Sequence, residues 1–223
     1  MTKQIFDDVA VQYDEWYENP IGRAVDYVER RALEELFRPQ GNKILEIGCG
    51  TGLYTVRMAA NNYNVTALDI SSEMMKIAQA KVQSIGKEVK WILGDISKML
   101  DSLETYDGIF SMTALEFIHQ PQMVLQALYQ KLNPGGCLVI GVIADNSTWS
   151  EVYRQAAQQD PESVFQSAHF FTEKEIRAWN IGNEPEIRKV LFFSPETMSY
   201  EEAMEQENKA QGNPGFLVAN WRK

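Results

Sequence analysis

Short apolar runs alternate with amphipathic stretches between residues 40 and 144. The apolar runs are typical of strands, and the stretches at 51–61, 72–85 and 121–132 are predicted helices. Such alternation indicates an α/β fold with a doubly wound, mostly parallel sheet and right-handed crossovers. The predicted strands of this unit are KILEIG (43–48), YNVTALD (63–69), VKWILG (89–94), YDGIFSM (106–112) and GCLVIGVIA (136–144).

The alternation stops on both sides of this unit. Before it, apolar residues at helical spacing over 21–37 predict a helix that ends before Pro39. After it, 145–171 is polar and rich in aromatic residues, and TEKE (172–175) fits a capping box that begins a helix. A strand, an acidic helix and a last strand are predicted at 186–194, 199–211 and 215–223. We therefore expect one domain over 1–223: an N-terminal helical cap (1–39), the alternating core (40–144), an insertion after strand five (145–185) and closing strands (186–223).

Length and composition are those of an ordinary globular protein, with 223 residues, 44% of them hydrophobic and 23% charged. The net charge of −10, without a cluster of lysine or arginine, argues against a nucleic-acid partner. No apolar window is long enough to span a membrane, and the start, MTKQIFDDVA, lacks the pattern of a signal peptide. We expect a cytoplasmic monomer or homodimer with no membrane partner, in which Cys49 and Cys137 are reduced thiols.

Three glycines follow the first predicted strand, within the segment ILEIGCGTG (44–52). Glycines suit a sharp strand-to-helix turn, and they also let a nucleotide-like ligand approach the backbone. Acidic residues follow the next two predicted strands. Asp69 can accept hydrogen bonds from both ribose hydroxyls, and Asp95 can accept one from an adenine amino group. Each feature alone fits a plain turn or a solvated helix cap, but together, at successive strand ends, they predict a nucleoside site.

Two classes of ligand compete for such a turn. Dinucleotide-binding proteins use G-x-G-x-x-G, whose third glycine permits close helix packing beneath a pyrophosphate, and here that position is Leu53. Glu46, two residues before Gly48, would repel a pyrophosphate but suits a cationic amine or a sulfonium. Asp69 does not discriminate, because dehydrogenases also use an acid there. A nicotinamide-dependent dehydrogenase is therefore the weaker alternative.

The set resembles the class I S-adenosylmethionine-dependent methyltransferases, in the small-molecule type 11 group that includes quinone-biosynthesis C-methyltransferases. The resemblance implies a Rossmann-like, seven-stranded, mostly parallel sheet whose last strand is antiparallel. It also implies transfer of a methyl group from S-adenosylmethionine to a small-molecule acceptor, the alternative being a protein that binds the cofactor without transferring methyl. The matching motifs are YDEWYENPIGR (13–23), LEIGCGTG (45–52), VTALDIS (65–71), GDI (94–96), YDGIFSMTALEFI (106–118) and LNPGGCLVIG (132–141).

The resemblance also assigns cofactor-binding roles, motif by motif. An arginine of the N-terminal segment pairs with the methionyl carboxylate in related enzymes; Arg23 is the best match, with Arg30 and Arg31 as alternatives. The other implied contacts are Glu46, Gly48, Cys49 and Gly50 with the methionyl part, Asp69 with the ribose, Ile70, Asp95 and Ile96 with adenine, and Ser111 and Met112 at the sulfonium end.

Aromatic residues are concentrated outside the alternating unit. Tyr13, Trp16 and Tyr17 share one face of a predicted helix, which either packs on the domain or forms a lid over the sulfonium. Tyr17 is then a further cofactor-binding residue. We expect the acceptor pocket between this helix, the 113–119 loop and the 145–171 insertion. The expected acceptor-binding residues are Tyr13, Trp149, Tyr153, His169 and Phe170.

The expected reaction makes modest demands on the protein. Methyl transfer from a sulfonium is an in-line displacement, so positioning and desolvation can suffice. A general base is needed only if the nucleophile must lose a proton. The candidates are His169, His119 and Glu116. Each histidine is also compatible with an ordinary loop role, and Glu116 with a partner for a substrate amine or a polar residue beside the sheet. No spacing of histidines or acids indicates a metal, and we expect none.

Overall fold

The computed structural model describes residues 4–223, so positions 1–3 of the predicted cap lie outside the described residues. The strands are β1 (Lys43–Ile47), β2 (Asn64–Asp69), β3 (Lys90–Leu93), β4 (Tyr106–Met112), β5 (Leu132–Ile143), β6 (Glu186–Val190) and β7 (Phe216–Arg222). The α-helices are α1 (Pro20–Leu36), α2 (Leu53–Ala60), α3 (Ser72–Ser84), α4 (Ile96–Met99), α5 (Pro121–Gln130), α6 (Thr148–Gln159), α7 (Glu173–Ala178) and α8 (Tyr200–Lys209). Short 3-10 helices lie at Tyr13–Glu18, Leu100–Ser102, Leu115–Phe117 and Val164–Ser167.

The strands form one sheet in the order β3-β2-β1-β4-β5-β7-β6. Strands β1 to β5 pair in parallel, whereas β7 runs antiparallel to both β5 and β6. The predicted seven-stranded, mostly parallel sheet with an antiparallel last strand is confirmed. The strand order reverses direction between β1 and β4, and open α/β sheets bind ligands at the carboxyl edge beside such a point.

Hydrophobic layers cover both faces of the sheet. Ile44 and Leu45 are adjacent on β1 and fully buried, yet they belong to different layers, because successive side chains of a strand point to opposite faces. Leu33 of α1 lies in the layer of Ile44, and Leu125 of α5 lies in the layer of Leu45. None of the helices within residues 4–223 combines the length and the apolar character needed to cross a membrane.

Two strand boundaries differ from the predicted ones by more than one residue. β5 begins at Leu132 rather than at residue 136, because Leu132 already pairs with Tyr106 before an irregularity in the register. β6 ends at Val190 rather than at residue 194, because Leu191 has a left-handed backbone with φ of 61°. The chain leaves the sheet there, and the Glu207 carboxylate of α8 accepts hydrogen bonds from the next two backbone N–H groups.

The start of α1 fixes the aromatic segment that precedes it. The Asn19 side chain caps α1 by accepting hydrogen bonds from the N–H groups of Ile21 and Gly22, at 2.9 and 2.8 Å. A Cβ atom on Gly22 would lie 2.0 Å from the carbonyl oxygen of Trp16. Only glycine therefore lets the 3-10 helix at Tyr13–Glu18 pack this closely on α1.

Candidate functional site

The glycine-rich segment connects β1 to α2 at the carboxyl edge of the sheet. Gly50 has a left-handed backbone with φ of 52°, and an added Cβ would meet no atom within 4 Å. Gly52 differs, because its Cβ would lie 2.8 Å from the Cβ of Ala78. Gly50 therefore borders open space, whereas Gly52 allows α2 to pack on α3.

Asp69 ties this loop to the next strand end. One oxygen of its carboxylate accepts a hydrogen bond from the Gly50 N–H at 2.7 Å, and the other accepts one from the Ser71 N–H at 2.8 Å. Burial raises the pKa of Asp69, while these backbone hydrogen bonds oppose that shift. The carboxylate thus holds the glycine loop against the start of α3, and it also lines the adjoining cavity.

A cavity of about 260 Å³, here called the cofactor cleft, lies beside the glycine loop. Asp95 lines it while capping α4, since its side chain accepts hydrogen bonds from the Ser97 N–H at 3.0 Å and hydroxyl at 2.6 Å. Ile70 also lines it and is 41% exposed, which is unusual for a large apolar side chain beside a cavity. The cleft brings together these residues with predicted cofactor roles: Gly48, Gly50, Asp69, Ile70, Asp95, Ile96 and Met112.

The other residues with predicted cofactor roles do not line the cleft. Arg23 is exposed and donates a hydrogen bond to the Glu18 carbonyl oxygen at 3.0 Å. Cys49 is buried, Tyr17 lines a different cavity, and Ser111 donates to the Ile47 carbonyl oxygen at 3.0 Å.

Glu46 is a buried carboxyl beneath the glycine loop. The Thr55 hydroxyl donates a hydrogen bond to it at 2.5 Å. Burial raises the pKa of Glu46 to about 8, with a smaller contribution from the charge of Asp69, while the hydrogen bond from Thr55 opposes the shift. A cation near the loop would be attracted to this carboxyl and would favour its ionised form.

A second cavity of about 290 Å³, here called the aromatic pocket, adjoins the cofactor cleft. Tyr13, Trp149 and Tyr153, three of the predicted acceptor-binding residues, line it. Ring contacts connect its wall from the N-terminal segment to the insertion, including Trp16–Trp149 at 6.4 Å between ring centroids and Tyr153–Phe165 at 4.4 Å. The residues that line both cavities are Phe6, Tyr13, Thr113 and Phe117.

The remaining acceptor-binding and catalytic candidates lie outside the aromatic pocket. Phe170 is buried behind it and contacts Tyr153 with 6.2 Å between ring centroids. His169 lies in an open groove, where its Nε2 atom is 3.4 Å from a Glu175 carboxylate oxygen. His119 lines both that groove and the cofactor cleft.

Glu116 is buried and directly precedes Phe117, which lines both cavities. One carboxylate oxygen accepts a hydrogen bond from the Ile143 N–H at 2.7 Å, and its carbonyl oxygen accepts one from the His169 N–H at 2.9 Å. Its other carboxylate oxygen has no hydrogen-bond donor in the part of the chain that the structure describes. Burial raises the pKa of Glu116 to about 7, against the effect of the backbone hydrogen bonds.

Sequence reasoning missed several lining residues, among them Phe6, Phe117 and Glu29. Phe6 and Phe117 contact each other edge to face at 4.9 Å and close one side of both cavities. The sequence did contain a signal for Glu29, because this acidic residue falls on the buried stripe of α1 beside Val25 and Val28. Within residues 4–223, no group of three or more His, Cys, Asp or Glu side chains is arranged to hold a metal ion.

Comparisons with known proteins agree with this geometry. Residues 44–136, which include the glycine loop and most of the cleft, match the methyltransferase domain family. The chain is 30% identical over 176 residues to an uncharacterised protein of Methanocaldococcus jannaschii, covering 77% of this chain and 76% of that protein. The chain belongs to the S-adenosylmethionine-dependent methyltransferases. This membership favours methyl transfer over the nicotinamide-dependent alternative.

Two further similarities extend the comparison. The chain is 32% identical over 130 residues to a ubiquinone biosynthesis O-methyltransferase of Pectobacterium atrosepticum, covering 58% of this chain and 52% of that protein. A crystal structure from Thermotoga maritima, described as a methyltransferase and a possible histamine N-methyltransferase, matches with a TM-score of 0.77. That match covers 98% of both chains at 21% identity, and it shows the common fold.

Proposed function

We propose that this methyltransferase binds S-adenosylmethionine in the cofactor cleft and transfers its methyl group to a small molecule in the aromatic pocket. The observation that carries the proposal is the shared boundary of the two cavities, formed by Phe6, Tyr13, Thr113 and Phe117. Two adjoining cavities of this kind suit a reaction in which donor and acceptor must meet in line. The size and apolar lining of the aromatic pocket suit a compact organic molecule.

The residues of the cleft fit this cofactor. Gly50 leaves open space where any other residue would place a Cβ atom, and Asp69 and Asp95 supply carboxylates at neighbouring strand ends. We assign the ribose hydroxyls to Asp69 and the adenine ring to Ile70, Asp95 and Ile96. Glu46 lies below the glycine loop, where a cationic methionyl group would attract its carboxyl and favour the ionised form.

The protein's own contribution to the reaction is positioning and the exclusion of water. S-adenosylmethionine supplies a methyl group already activated on a sulfonium centre. The rings of Tyr13 and Phe117 lie at the junction of the cavities, where they shield the reacting atoms from water. If the acceptor must lose a proton, His119 lines the cleft and Glu116, with a pKa of about 7, lies next to the junction.

The names of similar proteins support a small-molecule acceptor, since both ubiquinone biosynthesis and histamine methylation concern small molecules. The cytoplasmic location, the lack of a metal requirement and the monomeric or homodimeric state stay predictions from the sequence.

Calorimetry with S-adenosylhomocysteine and with NAD tests the proposed cofactor. We expect S-adenosylhomocysteine to bind and NAD to give no measurable heat; the reverse result would overturn the proposal. A screen of small-molecule acceptors, read as S-adenosylhomocysteine formed, then tests methyl transfer. Cofactor binding without turnover on any acceptor would instead favour a protein that binds the cofactor without transferring methyl.

A further inference from the structure

A carboxyl group without a partner faces the aromatic pocket. Glu29 of α1 lines this cavity and is only 6% exposed. No hydrogen-bond donor or basic side chain among residues 4–223 pairs with it. It lies on the buried, otherwise apolar stripe of α1, one turn after Val25 and one turn before Leu33. Burying an unpaired carboxyl group costs folding free energy, which indicates that Glu29 pairs with a bound ligand.

The surroundings of Glu29 favour a positive charge and disfavour a negative one. None of the described residues that line the pocket is a lysine or an arginine. Burial, with smaller contributions from the charges of nearby Asp26 and Glu116, raises the pKa of Glu29 well above its usual value. An anionic ligand would meet this negative field, whereas a cation would relieve it.

Aromatic rings supply the second half of a cation site. Tyr13, Tyr17 and Tyr153 all line the pocket, and burial raises the pKa of each, with a smaller contribution from nearby Glu29. Trp16 and Trp149 complete the wall. The faces of such rings attract ammonium groups, and their edges pack against a flat apolar body.

We infer that the acceptor is an arylalkylamine whose protonated amino group binds the Glu29 carboxylate, with its ring held among the aromatic side chains. This inference rests on the proposed function, because it takes the aromatic pocket as the acceptor site. Glu29 is then a specificity-determining residue, because it recognises the amino group of the acceptor.

Binding of an amine at Glu29 should change the number of protons bound by the protein. Burial and the neighbouring Asp26 and Glu116 raise the pKa of Glu29 and so favour its neutral form; Asp26 is itself paired with Arg57 at 2.6 Å. The other titratable groups that face Glu29 are the hydroxyls of Tyr13, Tyr17, Tyr54 and Tyr153, all of which stay neutral because their pKa values are raised. An ammonium group favours the ionised form of Glu29, so binding of a protonated amine should release protons to solvent.

The test is calorimetry on the complex with S-adenosylhomocysteine, using tryptamine with its neutral analogue tryptophol, and phenethylamine with 2-phenylethanol. We expect each amine to bind about tenfold or more tightly than its alcohol, as a charge-assisted hydrogen bond implies. Titration in buffers of different ionisation enthalpy should show proton release on amine binding. In Glu29→Gln, both the preference and the proton release should disappear.

Glu34→Gln is the matched control, because Glu34 lies on the exposed side of the same helix. It should leave the preference unchanged, and thermal unfolding should show that both variants are folded. Equal affinities for amine and alcohol, no binding of any of the four compounds, or a preference that survives in Glu29→Gln would overturn the inference. Failure of S-adenosylhomocysteine to bind would instead contradict the proposed function.

Discussion

The two cavities of this methyltransferase are built in different ways. The cofactor cleft is formed mainly by strand ends and by the loops that follow β1, β2, β3 and β4, within residues 47–119, with Phe6 and Tyr13 at its edge. The aromatic pocket collects large side chains from Phe6 to Phe216. The first depends on backbone conformation and short acidic side chains, which leave a local motif in the sequence. The aromatic pocket depends on packing between distant segments, which leaves no local motif in the sequence.

The carboxyl groups of the two cavities also differ, in whether the protein itself supplies their hydrogen-bond donors. Asp69 and Asp95 already accept hydrogen bonds from the protein, so the cleft is preorganised before the cofactor binds. Glu29 in the aromatic pocket has no donor within the described chain. We therefore expect substitutions in the cleft to affect cofactor binding strongly and substitutions in the pocket to affect mainly the acceptor.

The largest effect is expected at Gly50. In Gly50→Ala, the new Cβ projects into the space assigned to the cofactor, and S-adenosylhomocysteine affinity should fall by about 3 kcal/mol or more, roughly a hundredfold. The left-handed backbone should also cost about 1 kcal/mol of folding stability.

Gly86→Ala is the matched control for this prediction. Gly86 also has a left-handed backbone, with φ of 64°, and open space around its missing Cβ, but it lies beyond the end of α3. It should lose similar stability and keep full affinity in calorimetry. Equal affinity losses in the two variants would contradict the assigned position of the cofactor.

Asp69→Ala should weaken S-adenosylhomocysteine binding by about 2–3 kcal/mol, because charge-assisted hydrogen bonds to the ribose are lost. Asp107→Ala is its control, since Asp107 also accepts a backbone hydrogen bond, from Lys43 at 3.0 Å, but does not line the cleft. The control should lower the melting temperature and leave the dissociation constant within about twofold of wild type. If Asp69→Ala binds as wild type does, Asp69 does not contact the ribose.

The third expected effect is on stability as a function of pH. The pKa of Glu46 is raised to about 8 in the folded protein, above its ordinary value of 4.5, so the folded state binds the extra proton. The contribution of this proton to the free energy of unfolding is complete below about pH 4.5 and is lost as the pH rises through about 8. Between pH 6 and 8, wild type should lose about 2 kcal/mol more of its unfolding free energy than Glu46→Gln does. Urea unfolding at these two values measures the difference, and parallel pH profiles would contradict a buried neutral Glu46.

The smallest expected effect on the cofactor is that of Trp16→Ala. Trp16 lines the aromatic pocket but not the cleft, so S-adenosylhomocysteine affinity should change by less than about 0.5 kcal/mol. Acceptor binding should weaken clearly.

Hydrogen exchange should show added protection of residues 13–23 with S-adenosylhomocysteine if this segment acts as a lid. Protection confined to the glycine loop and the strand ends would leave these aromatic residues as packing only.

The difference between the cofactor cleft and the aromatic pocket also explains which features could be predicted from the sequence. The strands and the residues of the glycine loop follow from apolar runs and a short motif, because both are local. The antiparallel direction of β7 was implied only by the family resemblance. The end of β6 could not be predicted, since it depends on Glu207 reaching across from α8. The aromatic pocket was predicted in outline from Tyr13, Trp149 and Tyr153. The contribution of Glu29 was not predicted, because it depends on which face of α1 meets the N-terminal segment.

A crystal structure with S-adenosylhomocysteine tests the central claim, that the two adjoining cavities hold the donor and the acceptor. The account predicts adenine beside Ile70 and Ile96, the ribose on Asp69, and the sulfur atom facing Thr113 and Phe117 at the junction. A sulfur atom turned away from the aromatic pocket, or a ligand bound outside the cleft, would contradict it.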